Sequence, residues 1–377
     1  MRAPFRVTLP ALLAWVAMAV VVPAGASAGF KTGLLNLTKA DADMARSAKA
    51  KTDILRLNLS WRAVAGGGPP ANPANPADPA YNFESTDAAV SQARARGLQV
   101  LLTITSAPNF AEGANRPGGV RPGAWKPNPG ALGQFAQAVA SRYSGSFGGL
   151  PRVSHFQAWN EGNLDLHLAP QYVGKKPFMP KHYREMLNAF YSGVHAGQPN
   201  AKVVTTGTAP YGDARGGART RPLTFWRKVF CLKGCHAKTN LDVMAHHPIN
   251  TSGGPHRSAV HRADASTPDF KNVRKILREA ERRNRVQGGR HPLWATELWW
   301  ESKPPDRCGV KLKRHASYLK QSFRLLRKQG ASAVIWLGIR DQKASANECG
   351  RTSLQSGLTR ANGKRKPAFR AFRSFGR

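Results

Sequence analysis

The sequence predicts an α/β protein closed as a (β/α)₈ TIM barrel, with long βα loops at the C-terminal face. Three observations predict it. Eight short apolar runs alternate with amphipathic ones, most apolar runs are continuous, and the longest Gly- and Pro-rich stretches follow those runs. Such alternation builds βα units on a parallel sheet. Continuous apolar runs suit strands buried on both faces. A chain of 377 residues is large for one domain but ordinary for this barrel.

The strand candidates are Gly33–Leu37, Asp53–Leu59, Leu98–Thr105, Val153–Trp159, Lys202–Thr206, Leu241–His246, Pro292–Glu297 and Ala333–Gly338. The helix candidates are Lys39–Lys49, Ser85–Arg96, Asn128–Tyr143, Lys181–Ala196, Leu223–Leu232, Asp269–Arg285, Lys313–Gln329 and Lys366–Ser374. Ser85–Arg96 opens on the Glu84/Ser85/Asp87 cluster and stops at Gly97, a natural C-terminal cap. The loops Gly66–Ala80, Gly113–Gly123, Tyr211–Arg221 and Thr251–Thr267 each follow a strand candidate. In a barrel these loops lie where active sites are built, so they read as cleft walls.

Residues 1–28 read as a cleavable secretory signal. Arg2 and Arg6 precede an apolar stretch, Leu9–Val22, and small residues end in Ala26-Ser27-Ala28. The stretch is broken by Pro10 and Pro23 and is short for a membrane span of roughly 20 residues. The expected product is a single barrel over residues 29–377, secreted or associated with the cell envelope, with no later span. Four cysteines in an exported chain suggest two disulfides, and the favoured pairing is Cys231–Cys235 with Cys308–Cys349. A metal site at Cys231, Cys235 and His236 lacks a second ligand pair of suitable spacing.

Lys and Arg number 57 against 21 Asp and Glu, a formal charge of +36. That field attracts polyanions: an acidic polysaccharide, an anionic envelope or nucleic acid. The basic residues are spread along the chain without a stripe of interleaved aromatics, which argues against dedicated nucleic-acid binding.

Three segments carry chemistry, each at the end of a strand candidate: Trp159-Asn160-Glu161-Gly162, Ala245-His246-His247-Pro248 and Thr296-Glu297-Leu298-Trp299. A carboxylate directly after an apolar strand is costly unless it has a partner or a role. Two glutamates at the ends of different barrel strands can face each other across the mouth, and paired carboxylates are the machinery of glycoside hydrolysis. The structural alternatives are a dipole-balancing acid for Glu161 and a plain ion-pair partner of Arg56 for Glu297. Both histidines binding one metal is disfavoured, because adjacent strand residues point to opposite faces.

At these segments the chain resembles glycoside hydrolase clan A, the retaining barrel glycosidases, and within it the family 39 and family 5 cellulase-like enzymes. The resemblance implies Glu161 as acid/base and Glu297 as nucleophile. It implies Asn160 as a ligand of the sugar 2-hydroxyl and Arg56 as a support for the nucleophile. His246 or His247 would contact sugar or nucleophile, and Trp336 would be the aromatic platform. Gly162 departs from the usual Trp-Asn-Glu-Pro. Trp61, Trp125, Trp299, Asn163 and His167 are further expected sugar contacts. The expected partner is a carbohydrate, with an anionic glycan the first to test, and no metal or organic cofactor is implied. The alternative is a non-catalytic carbohydrate- or polyanion-binding barrel of the envelope.

Overall fold

A computed structural model describes residue 1, residues 29–343 and residues 354–376. The signal expected over residues 1–28, apart from residue 1, and the Cys349 half of the second disulfide lie outside the described residues.

Eight strands form the sheet: β1 (Lys31–Asn36), β2 (Ile54–Ser60), β3 (Gln99–Thr105), β4 (His155–Ala158), β5 (Lys202–Val204), β6 (Met244–His246), β7 (Leu293–Leu298) and β8 (Ala333–Leu337). They run parallel in the order β5-β4-β3-β2-β1-β8-β7-β6. The two ends meet through the parallel bridges Val204↔Val243 and Thr208↔His246, so the barrel is nearly closed. Helices alternate with them: α1 (Asp41–Lys49), α2 (Glu84–Ala95), α3 (Pro129–Arg142), α4 (Met179–Gly197), α5 (Pro222–Val229), α6 (Phe270–Arg282), α7 (Leu312–Lys328) and α8 (Pro367–Arg373). Each predicted strand and helix has its counterpart, with ends moved by a few residues.

The local reasons are ordinary ones. In α6, Phe270, Val273, Ile276, Leu277 and Ala280 are buried at helical spacing, so one stripe meets the sheet. Helix α3 starts at Pro129 with the Asn128 side chain accepting from Ala131 N. Gly97 takes a φ of +73°, which ends α2 in the left-handed region. Helices α3 and α4 cross so closely that a Cβ on Gly193 would lie against the Gly133 carbonyl. The disulfide Cys231–Cys235 is formed, with its Cα atoms 5.2 Å apart. Among the described residues, no helix is long and apolar enough to cross a membrane.

Side chains of each strand divide between two apolar layers. Leu55, Leu57, Leu102, Phe156, Met244 and Trp336 face the helices. Leu35, Ile54, Leu101, Val204, Ala245 and Ile335 fill the barrel interior. Strand parity therefore sends Arg56 and Thr103 inward, since each lies two residues from an interior leucine or isoleucine. Strand β7 breaks the parity once. Val334 pairs with Ala295 but Trp336 pairs with Leu298, so three steps on β7 match two on β8. Ala295 and Leu298 both face the helices. The extra residue of this bulge lets the successive residues Thr296 and Glu297 both face inward.

One helix residue fixes the strand ends that matter most. The buried Tyr183 hydroxyl of α4 donates to Ala158 O at the end of β4 (3.0 Å) and accepts from Thr206 N just after β5 (2.6 Å). Tyr183→Phe leaves a buried carbonyl and a buried N–H unpaired, at a cost of about 1–3 kcal/mol for such a lost partner. The expected outcome is a lower urea midpoint with an unchanged m-value. An unchanged midpoint would show the two strand ends to be held by other contacts.

Candidate active site

The site is assembled around Arg56, which is 1% exposed. Its Nε donates to Thr103 Oγ1 (3.0 Å) and its Nη2 to Asn160 Oδ1 (2.6 Å). Its Nη1 donates to Thr296 O (3.0 Å) and Glu297 Oε2 (3.2 Å) and lies 3.4 Å from His247 Nε2. The planar fork of a guanidinium can serve partners in several directions at once, which an ammonium cannot. Thr103 in turn donates to Gln157 Oε1 (2.9 Å), and Gln157 Nε2 reaches Thr205 O (2.9 Å) and Thr296 Oγ1 (3.3 Å). The polar interior is thus satisfied from strand to strand.

Glu161 reaches the mouth through a tight turn. Trp159 and Glu161 carry φ values of +77° and +41°, a region that costs non-glycine residues energy. The turn is held by Glu161 N donating to Gly207 O (2.9 Å) and Gly162 N donating to Thr206 Oγ1 (3.0 Å). The second bond explains the departure at position 162: a proline there has no N–H to give. Gly207 carries no side chain for an equally local reason. A Cβ there would collide with the His247 ring and Thr296 Oγ1.

His247 links the two glutamates. Its Nδ1 is 3.1 Å from Glu161 Oε1 and 4.0 Å from Glu297 Oε2. The tautomer with the proton on Nδ1 donates to Glu161 and leaves Nε2 to accept from Arg56. His167 Nε2 faces Glu161 Oε2 at 3.4 Å. One carboxylate oxygen each of Glu161 and Glu297, with a His247 nitrogen, all lie within 4.8 Å of one another. Burial pushes the Glu161 carboxyl up, but hydrogen bonds from His167 and His247 outweigh it and hold it well below the usual carboxylate range.

Glu161, His247 and Glu297 are also the one group among the described residues with metal-type donors this close together. The Arg56 guanidinium, bonded to Glu297 and facing His247 Nε2, already places a positive charge there.

The structure brings Arg56, Asn160, Glu161, His167, His247 and Glu297 together and leaves other expected residues elsewhere. His246 is fully buried on the helix side, between Thr208 Oγ1 (2.8 Å) and Ala265 O (2.8 Å). Burial pulls its pKa down to about 4. Trp336 faces the same layer, packed on Trp300, His315 and Phe323 with its N–H on Ser356 O. Adjacent β-residues point to opposite faces, and both of these have the wrong parity. Trp61 is buried and stacks on Phe135. Asn163 is consumed by backbone bonds to Ala209, Tyr211 and Thr220. Trp125 gives its N–H to Ala114 O and is covered by Lys126. Trp299 is the partly buried aromatic packed against the barrel-interior cluster. Thr103, Gln157, Thr206 and Tyr183 escaped sequence reasoning. The only signal was polar residues inside otherwise apolar runs.

A cleft of about 170 Å³ opens beside Asn160 and His167, bordered by Asn58, Thr105, Arg121 and Leu166. It adjoins a second hollow of about 520 Å³, with Asn58 and Thr105 as common wall.

The fold and this geometry define a (β/α)₈ barrel with a two-carboxylate site at its C-terminal mouth. No protein-family model matches the sequence, and no curated protein matches it. The solved structures it is similar to include glycoside hydrolases. A family 39 glycoside hydrolase from Bacteroides cellulosilyticus WH2 is 17% identical with a TM-score of 0.65, over 92% of this chain and 63% of the other. A GH5_18 protein from Streptomyces cattleya in complex with GlcNAc is 15% identical with a TM-score of 0.61, over 92% and 79%. A GH39 β-xylosidase from Caulobacter crescentus is 17% identical with a TM-score of 0.58, over 92% and 70%. The chain spans less than two thirds of the first of these, and at such identity the likeness shows the fold.

The depressed pKa of Glu161 has a consequence for stability. The folded carboxyl ionises more readily than that of a free glutamate, so its contribution is present above the ordinary glutamate pKa and is lost as pH falls below it. His167→Phe removes one hydrogen bond and raises the carboxyl. The expected result is a shallower loss of urea stability on the acid side in the variant. Identical pH–stability curves would show that His167 does not hold Glu161.

Proposed function

We propose that the chain is a secreted retaining glycosidase that cleaves O-glycosidic bonds of a poly- or oligosaccharide by double displacement. The observation that carries this reading is the approach of the Glu161 and Glu297 oxygens to within 4.8 Å. Retaining enzymes hold their carboxyls ~5–5.5 Å apart, and inverting ones leave ~6.5–9.5 Å for a water. The likeness to barrel glycoside hydrolases supports it from the side of the fold.

In this mechanism Arg56 aims the Glu297 carboxylate at the anomeric carbon. Glu161 takes up a proton with the bound substrate and gives it to the leaving oxygen as Glu297 forms the glycosyl ester. Glu161 is then ionised, the state its two imidazoles favour, and withdraws a proton from the water that releases the sugar. Asn160, held by Arg56 Nη2, keeps its amide nitrogen free of Arg56 and within 3.5 Å of His167 Nε2. That places its donor where a sugar hydroxyl would lie. Trp299 is the aromatic best placed to meet the sugar face, in the role that Trp336 does not fill.

Glu297→Gln is expected to abolish turnover of every substrate. Glu161→Ala should retain activity only on aryl glycosides whose leaving groups need little protonation. Reducing-end release and aryl-glycoside hydrolysis measure both, and full activity of either variant on a glycan would refute the assignment. Secretion has its own test: the amino terminus of protein recovered from the medium should be Gly29.

A further inference from the structure

The loop between β3 and α3 contains one carboxylate near the cleft, and that carboxylate is already used. Glu112 Oε1 accepts from Gly123 N (2.8 Å) and Trp125 N (2.9 Å), while Oε2 faces Arg116 (3.4 Å) and Arg62 (3.9 Å). Arg121, on the same loop, borders the cleft beside Asn160 and His167 and has no side-chain partner among the described residues. Among the described residues no acid borders that cleft. In the adjoining hollow Lys39 reaches only Thr86 Oγ1, at 3.4 Å, with Glu84 the one acid on the border. Elsewhere on the same face three acids are matched to cations, Asp213 with Arg219, Asp264 with Arg221 and Asp341 with Lys366, while Glu301 after β7 makes no ion pair among the described residues. Two cations without a carboxylate partner among the described residues thus border adjoining hollows, and the nearer one, Arg121, shares its cleft with His167, which faces Glu161.

We propose that the glycan taken by this cleft is acidic, and that Arg121 selects it by bonding an anionic substituent, with Lys39 as a second contact. This rests on the glycosidase reading above and names its substrate class. The shared chemistry is an oxyanion on the sugar, either a uronate carboxylate or a sulfate ester.

The test compares polygalacturonate, chondroitin sulfate and a neutral glucomannan at about 0.15 M ionic strength, where diffuse attraction is screened. The protein is used as wild type, Arg121→Gln and Arg290→Gln. Arg290 is exposed just before β7, at the opposite end of the barrel, and its replacement makes the same change of charge. Wild type is expected to favour one acidic polymer over the neutral one in kcat/KM, and the acidic polymer that is cut separates carboxylate from sulfate. Arg121→Gln should lower that ratio by about tenfold, the scale of one charge-assisted hydrogen bond, mainly through KM. Arg290→Gln should leave it unchanged. Equal turnover of neutral and acidic polymers, or equal effects of the two variants, overturns the proposal. If no glycan is cut at all, the glycosidase reading falls, and affinity electrophoresis of Glu297→Gln in the same polymers decides the cleft. Retardation by an acidic polymer that is lost on adding Arg121→Gln sustains the proposal; its absence overturns it.

Discussion

A guanidinium sealed inside a sheet needs acceptors for its donors, and Arg56 draws them from residues on or just after other strands. Its bonds run to Thr103 on β3, Asn160 after β4 and Thr296 and Glu297 on β7, and it faces His247 after β6. Removing one member of a buried charged network leaves the others unpaired, which costs far more than the net worth of the network. Glu297 and Asn160 are therefore held by a residue that is itself held by the closure of the barrel. The site exists only when the strands are in register.

Two local irregularities bring the carboxylates into that frame. After β4, left-handed turns at Trp159 and Glu161 swing the chain over the barrel mouth, and the N–H bonds of Glu161 and Gly162 to the β5 end pin it there. In β7, the bulge turns Glu297 inward beside Thr296. Each departure costs backbone energy, and each is over-determined by packing: Tyr183 from the helix side and the Gln157–Thr103–Arg56 chain from the inside.

Electrostatics divides the mouth into two parts. At the centre, Arg56 faces Glu297 and two imidazoles, His247 and His167, face Glu161, so the buried carboxylates have partners. On the rim, Glu112 is absorbed by its own loop, and Arg121 has no side-chain partner among the described residues. The high net charge hides this distinction in the composition.

The sequence by itself determined the barrel and the axis of its chemistry. Eight apolar runs separated by amphipathic ones leave little other topology, and Arg56, Asn160, Glu161 and Glu297 stand out as polar residues in or directly after those runs. Side-chain direction had to wait for the tertiary structure. A strand buried on both faces is apolar throughout, so its sequence loses the alternation that would tell inside from outside. That is why His246 could not be told from His247, and why Trp336 read as a platform although it packs under α7. The same holds for Trp61 and Asn163, which the loops bury, and for Arg121, whose freedom depends on where Glu112 finds its partners. These are contacts between residues far apart in the chain, and only the closed barrel brings them together.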